Sequence, residues 1–136
     1  MAEKMVLIVN TATVDRLIGL AVLASGGIAL DMEVHIYLML WGVHAFLKKN
    51  LEKNKELIEH RDLAKDVEEG LKKAGLKPWY ETLKELKEMG TLKVYVCGAA
   101  AKAWNAKLED IFLADEICGA VEIVSDAKEA SVALFI

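Results

Sequence analysis

The chain alternates short apolar runs with amphipathic ones. Met5 to Asn10, MVLIVN, is apolar up to its last residue, which predicts a strand covered on both faces. Thr11 to Val14 form a turn, and Asp15 follows as an N-cap or first-turn acid of a helix running through Leu30. Ser25-Gly26-Gly27 interrupts the pattern of that helix. The glycines mark either close packing or an early helix end. Val34 to Leu40, VHIYLML, is a second strand leading to Trp41-Gly42-Val43-His44, a second candidate site in which Gly42 could permit a tight turn. The uneven spacing over residues 45–61 reads as a loop or covering segment with room for a short helix.

From Asp62, placed as a cap, the pattern becomes helical again. Leu63, Val67, Leu71 and Ala74 form one apolar stripe, Gly75 is a C-cap and Pro78 reinforces the stop. Trp79, Leu83, Leu86 and Met89 mark the buried side of the next helix, which Gly90 ends. Leu92 to Cys97, LKVYVC, is a strand, and Ala99 to Leu108 is largely helical. Ile111 to Gly119 fits strand, turn or helix. Val121 to Ala130 predicts a last helix, with Ser125 and Asp126 weakening the pattern. Ser131 to Ile136 is the final strand.

Strands alternating with helices predict one three-layer α/β/α domain spanning residues 1–136, with a predominantly parallel sheet of about five strands. The chain has 136 residues, of which 54% are hydrophobic, enough for a real core and against disorder. The net charge of −4 diagnoses no partner, and without a basic face nucleic-acid binding is not expected. The most apolar stretch, Leu17 to Leu30, falls short of the roughly 20 residues of a membrane-spanning helix. No membrane insertion is expected, and no secretory signal is read at the N-terminus. Two cysteines without a close pair argue against a disulfide scaffold and fit a reducing cytoplasm.

Cys97 carries the most chemistry. It closes a strand and precedes Gly98-Ala99-Ala100-Ala101. In a parallel α/β domain such strand ends form the ligand crevice. The N–H groups of a following helix would stabilise a thiolate there, and small neighbours such as Gly98 and Ala99 leave room for an added sulfur atom. The same pattern also fits a cysteine that only packs a strand end. Cys118, in ICGAV, is either structural or a partner that resolves or receives sulfur from Cys97. No CxxC motif is present, which argues against a thioredoxin-like dithiol.

Trp41 and Gly42 could edge a pocket, His44 could exchange a proton, and Thr11 could contact the same crevice. Core packing, a structural hydrogen bond and a turn explain these residues equally well. His35 is buried by its pattern, and with His60 and the cysteines it makes no zinc spacing. Trp79, Tyr80 and Trp104 read as packing or interface residues. Glu109 and Asp110 read as an exposed helix end. No GxGxxG, Walker A, HExxH or GxSxG motif occurs.

The segments VHIYLMLWG (Val34 to Gly42), KVYVCGAAAKAWNAK (Lys93 to Lys107) and GAVEIVSDAKEASVALFI (Gly119 to Ile136) resemble the DsrE/DsrF-like sulfur-relay family over nearly the whole chain. The resemblance implies a strand-end cysteine, here Cys97, that carries sulfane sulfur as a transient persulfide without a cofactor or metal. It also implies a homo-oligomer or mixed assembly. A sulfane-sulfur donor and a thiol acceptor, such as a TusA-like carrier, would be its partners. Trp41 and Gly42 match structural or pocket-edge features of relatives, and Cys118 has no family role. The alternatives are a noncatalytic oligomeric or regulatory interaction module and a small-molecule-binding α/β protein.

Overall fold

Apolar and β-branched runs form five strands: β1 (Lys4–Val9), β2 (Glu33–Leu38), β3 (Leu92–Cys97), β4 (Glu116–Cys118) and β5 (Val132–Phe135). The structure is a computed structural model that describes residues 3–136. All strand pairings in the sheet are parallel, in the order β4-β3-β2-β1-β5. Six helices connect or flank them: α1 (Val14–Ala29), α2 (Leu40–Phe46), α3 (Ala64–Lys73), α4 (Trp79–Met89), α5 (Gly98–Ala103) and α6 (Ala120–Glu129).

Chain handedness explains the layers. From β1 to β4 each strand is added on the same side of its predecessor, so right-handed crossovers put the connecting helices on one face. The return from β4 to β5 runs the other way, which sends α6 to the opposite face. The result is a single α/β/α domain with unequal outer layers. The main core joins Leu7, Val9, Ile36, Leu38, Val94 and Val96 of the sheet to Leu17 and Leu20 of α1 and Leu83 of α4. Phe46 and Trp79 close it, with ring centroids 5.0 Å apart. The second cluster of buried residues among those described is small: Val6, Tyr37, Cys118 and Ile123.

Several element boundaries differ from the sequence expectations. α1 is continuous, because Gly27 packs the helix directly on the sheet: a Cβ there would lie 2.8 Å from Val34 Cγ2. The helix ends at Ala29 with Leu30 as its C-cap, and Asp31 beyond the cap takes the left-handed conformation (φ 58°) while Met32 N–H bonds back to the Gly27 carbonyl. Gly75 does the same for α3, at φ +74°. Asp62 does not cap α3. It lies in a 3₁₀ turn, Arg61–Leu63, and Leu63 takes the N-cap place.

The α3 stripe is not core, since none of its residues is buried and Leu63 and Val67 are exposed. The helix lies at the margin, where with α1 and α4 it walls an apolar groove. Pro78 starts α4 rather than only stopping α3, and Met89 points outward. β2 stops at Leu38, and Trp41 to His44 lie in the helix α2 rather than in a tight turn at Gly42. α5 ends at Ala103, short of the expected Leu108. The ambiguous segment before Gly119 contributes the short strand β4.

Gly42 is the tightest of the glycines. A Cβ there would sit 2.3 Å from the Val9 carbonyl oxygen, so only glycine lets α2 rest on the end of β1. Gly26, by contrast, has nothing within 4 Å of an added Cβ. Gly42→Ala is expected to lose about 1–3 kcal/mol or more in urea unfolding, by overpacking against backbone. Gly26→Ala is expected to gain about 0.5–1 kcal/mol, because alanine suits a helix interior better. Equal effects would contradict this reading of the two sites.

Candidate functional site

Parallel pairing brings every strand's carboxyl end to one edge of the sheet. Thr11 follows β1, Trp41 and His44 follow β2, Cys97 ends β3 and Cys118 ends β4. The residues singled out from sequence therefore share this edge, where they fall into two groups.

The first group surrounds a cleft of about 420 Å³ lined by Asn10, Thr11, Trp41, His44 and Arg61, among others. Thr11 is buried and shapes the β1–α1 turn: its hydroxyl lies 3.1 Å from that of Thr13 and accepts the Thr13 N–H. Asn10 accepts the Trp41 N–H at 3.3 Å, which ties the start of α2 to β1. His44, Trp41 and Trp104 form a three-ring cluster: His44 meets Trp41 edge-on at 5.5 Å and Trp104 at a tilt at 4.5 Å, and the two indoles lie 5.3 Å apart. Trp104 is held in turn by its indole N–H, which donates to the Leu40 carbonyl at 2.6 Å. His44 Nδ1 is buried without a hydrogen-bond partner. Burial, aided by the charge of Lys49, lowers the His44 pKa and favours the neutral ring. Gly42 lies beneath this group as a packing residue.

The second group is Cys97, Gly98, Ala99 and Cys118. Cys97 is half-buried and is the residue directly before α5, yet its sulfur takes no capping hydrogen bond from that helix. The expected support from helix N–H groups is thus not made through a direct bond. Gly98 allows the β3–α5 junction to close on β4, since a Cβ there would meet Ile117 Cγ2 at 3.2 Å. Ala99 is exposed. Cys118 is the register partner of Cys97 and is 7% exposed. Burial first, then the charges of Glu122 and Cys97, pushes its thiol up to about 11. Cys118 is therefore a thiol at neutral pH, and Cys97 is the more accessible of the two sulfurs.

A polar cluster under α6 was not anticipated. Asp126 Oδ1 accepts from Lys4 Nζ at 2.5 Å, and its Oδ2 accepts from His35 Nδ1 and the Tyr37 hydroxyl, each at 2.6 Å. Tyr37 stacks on Tyr95 at 4.7 Å. His35 is thus half-buried and paired on the α6 face rather than packed in the main core. A carboxylate can only accept, so His35 Nδ1 carries the proton. The one signal in the sequence was His35 and Tyr37 at strand period on one face. Their partner Asp126 is remote in sequence. Among the described residues no group of His, Cys, Asp and Glu side chains is placed to hold a metal ion. No described helix is long and apolar enough to cross a membrane.

A family model, the DsrE/DsrF-like family, matches residues 4–134. The chain belongs to that family. Two solved structures share the fold of this DsrE/DsrF-like protein. One is a protein of unknown function, MTH1491, from Methanobacterium thermoautotrophicum, with TM-score 0.66 and 11% identity, covering 98% of this chain and 99% of that one. The other is the ychN protein from E. coli, with TM-score 0.65 and 13% identity, covering 100% of both chains. At these identities they speak for the fold alone. No curated protein matches the sequence.

Burial opposes ionisation of Asp126, but hydrogen bonds from Lys4, Tyr37 and His35 outweigh it and hold the carboxyl below the ordinary carboxylate range. Its ionised form therefore stabilises the folded chain above about pH 4, and that contribution is lost as pH falls through the lowered value. Asp126→Asn is expected to be less stable at pH 7 and to lose less stability than wild type between about pH 4 and 2. Chemical denaturation across this range checks it, and parallel curves would refute the assignment. His44 acts in a separate window. Its lowered value makes protonation oppose folding below about pH 6.5, and Asp126→Asn leaves that step in place.

Proposed function

We propose that this protein is a sulfur carrier or sulfurtransferase that relays sulfane sulfur through Cys97. The family is broadly linked to sulfur relay, and the reading rests on one observation in this chain. An accessible cysteine closes β3 at the carboxyl edge, with Gly98 and Ala99 beside it. The small neighbours leave space for an added atom, and the partial exposure lets a second protein's thiol approach.

The chemistry needs two exchanges. The Cys97 thiolate attacks the terminal sulfur of a donor persulfide. The donor's S–S bond breaks, the donor leaves as a thiolate, and Cys97 holds the sulfur as a persulfide. An acceptor thiolate then attacks that terminal sulfur, and Cys97 returns to its thiolate. Neither exchange changes the net redox state. Donor and acceptor are thiols of a protein or small molecule, a small TusA-like carrier protein being the class the family suggests. In this reading His44 and the Trp41–Trp104 pair shape the neighbouring cleft and take no bond-making step.

A homo-oligomer is part of the same proposal. The α6 face of the sheet has a single helix, and Val121 and Val124 lie exposed on it (83% and 67%). Phe135, whose register partner is Ile8 on that face, is also 67% exposed. Apolar groups left out this way favour a second copy over solvent. If the surface serves assembly alone, with no sulfur taken up at Cys97, the interaction-module reading replaces the carrier.

Two outcomes are expected. Incubation with a sulfane-sulfur donor adds about 32 Da at Cys97, in a form that a thiol acceptor removes, and folded Cys97→Ser gains nothing. Intact mass and peptide mapping read this out. No addition to the reduced protein with a validated donor would overturn the carrier. In native mass spectrometry the protein runs as a multiple of the protomer, and Val121→Glu with Val124→Glu shifts it toward monomer. A wild-type monomer would refute the assembly.

A further inference from the structure

The two cysteines stand side by side although the sequence separates them. Cys97 ends β3, Cys118 ends β4, and the two are register partners. Neighbouring strands run about 4.8 Å apart, inside the roughly 4.4–6.8 Å that a disulfide spans between Cα atoms. Both thiols are free. Strand register sets Tyr95 opposite Glu116 and Cys97 opposite Cys118, but the Cys97 side chain leans against the main core while Cys118 packs under α6, so the Cys97 side chain must turn toward β4 for the two sulfurs to meet. The two sulfurs differ in access: Cys97 is half-buried, and Cys118 is covered.

We propose that Cys118 is a resolving thiol for Cys97, so that a hydroperoxide acting on Cys97 ends in a Cys97–Cys118 disulfide. In the first step the Cys97 sulfur attacks the peroxide. An S–O bond forms, the O–O bond breaks, and the reduced peroxide leaves as water or an alcohol. Cys97 is then a sulfenic acid. In the second step the Cys118 sulfur attacks the Cys97 sulfur. The S–S bond forms, the S–O bond breaks, and the hydroxyl departs with the Cys118 proton as water. Two thiols have lost two electrons and the peroxide has gained them.

The local backbone suits this closure. A disulfide brings its Cβ atoms to about 3.8 Å, closer than parallel strands hold them, so one strand must move. β4 is a three-residue edge strand bonded only to β3. Gly119, which follows it, has nothing within 4 Å of an added Cβ. Cys118 lies outside the main core, so a shift at the end of β4 falls on the small cluster under α6 and on the Gly119 cap of that helix. A bridge formed under such strain is readily reduced again. It would guard Cys97 against irreversible oxidation to sulfinic acid. Cys118, mostly protonated at neutral pH, stays unreacted until Cys97 has been oxidised.

The test uses the full reduced chain and hydrogen peroxide, with alkylation on denaturation and non-reducing peptide mapping. The expected result is a loss of about 2 Da, a peptide joining Cys97 to Cys118 within one chain, and full reversal by dithiothreitol. In Cys118→Ser, dimedone should label Cys97, and excess peroxide should carry it on to sulfinic acid. The wild-type map decides the matter even if that variant folds poorly. Cys97 reaching sulfinic acid while Cys118 is recovered alkylated, or a link found only between chains, would overturn the proposal. No sulfur donor is involved, so the outcome is independent of whether Cys97 relays sulfur.

Discussion

Parallel pairing is the constraint on which the rest of this molecule depends. Four strands run the same way through β4-β3-β2-β1, so their carboxyl ends open at one edge. Residues as far apart in sequence as Thr11 and Cys118 meet there for that reason. The pairing works only if the connections stay close to the strand ends. Gly42 does this for α2, resting it on the Val9 carbonyl, and Gly98 does it where β3 turns into α5 beside Ile117. A larger residue at either place would push a connecting helix away from the edge and loosen the groups it presents.

The same topology leaves the other face thin. With α6 alone on that side, few apolar contacts hold it, and the Asp126 cluster supplies what burial does not. Lys4, His35 and Tyr37 come from two adjacent strands and converge on one carboxylate of the helix. Leaving any of these part-buried groups unpaired is costly, so the cluster holds α6 against the sheet beside the small apolar cluster of Val6 and Ile123. Position matters because only Gly119, the N-cap of α6, separates that helix from Cys118. The polar cluster and the cysteine edge are thus linked through Gly119, whose N–H donates to Glu122 in the first turn of α6.

Strand periodicity made the fold legible in the sequence. LKVYVC forms β3 at its expected limits, and the alternation of strands with helices gave the parallel sheet. Patterns without a tertiary partner misled. The stripe Leu63, Val67, Leu71 is as regular as a core stripe, yet Val67 and Leu71 face a groove rather than the core and Leu63 is exposed. Met89 continued the α4 pattern one turn past the sheet. Gly42 suggests a tight turn, whereas the glycine answers a steric demand of distant Val9. The site was half legible. A cysteine at a strand end is visible from local sequence, but the Cys97–Cys118 register depends on β4, a strand too short for periodicity to define. Asp126 weakened the helix pattern for the very reason it matters, as a part-buried charge whose partners lie on other elements.

Two identical functional groups can stand next to each other and still differ in reactivity. The difference here comes from depth rather than from any special neighbour. Cys118 packs with Tyr37 and Ile123 under α6, where burial disfavours its charged form, while Cys97 sits at the open end of β3. A thiol acceptor from solution meets Cys97 first, and Cys118 can compete only through its fixed proximity. Proximity is worth most when no external thiol is present, because an intramolecular partner is always at high effective concentration. An arrangement of this kind leaves Cys97 free to exchange with partners under reducing conditions. It brings Cys118 into play only when those partners are missing or oxidised.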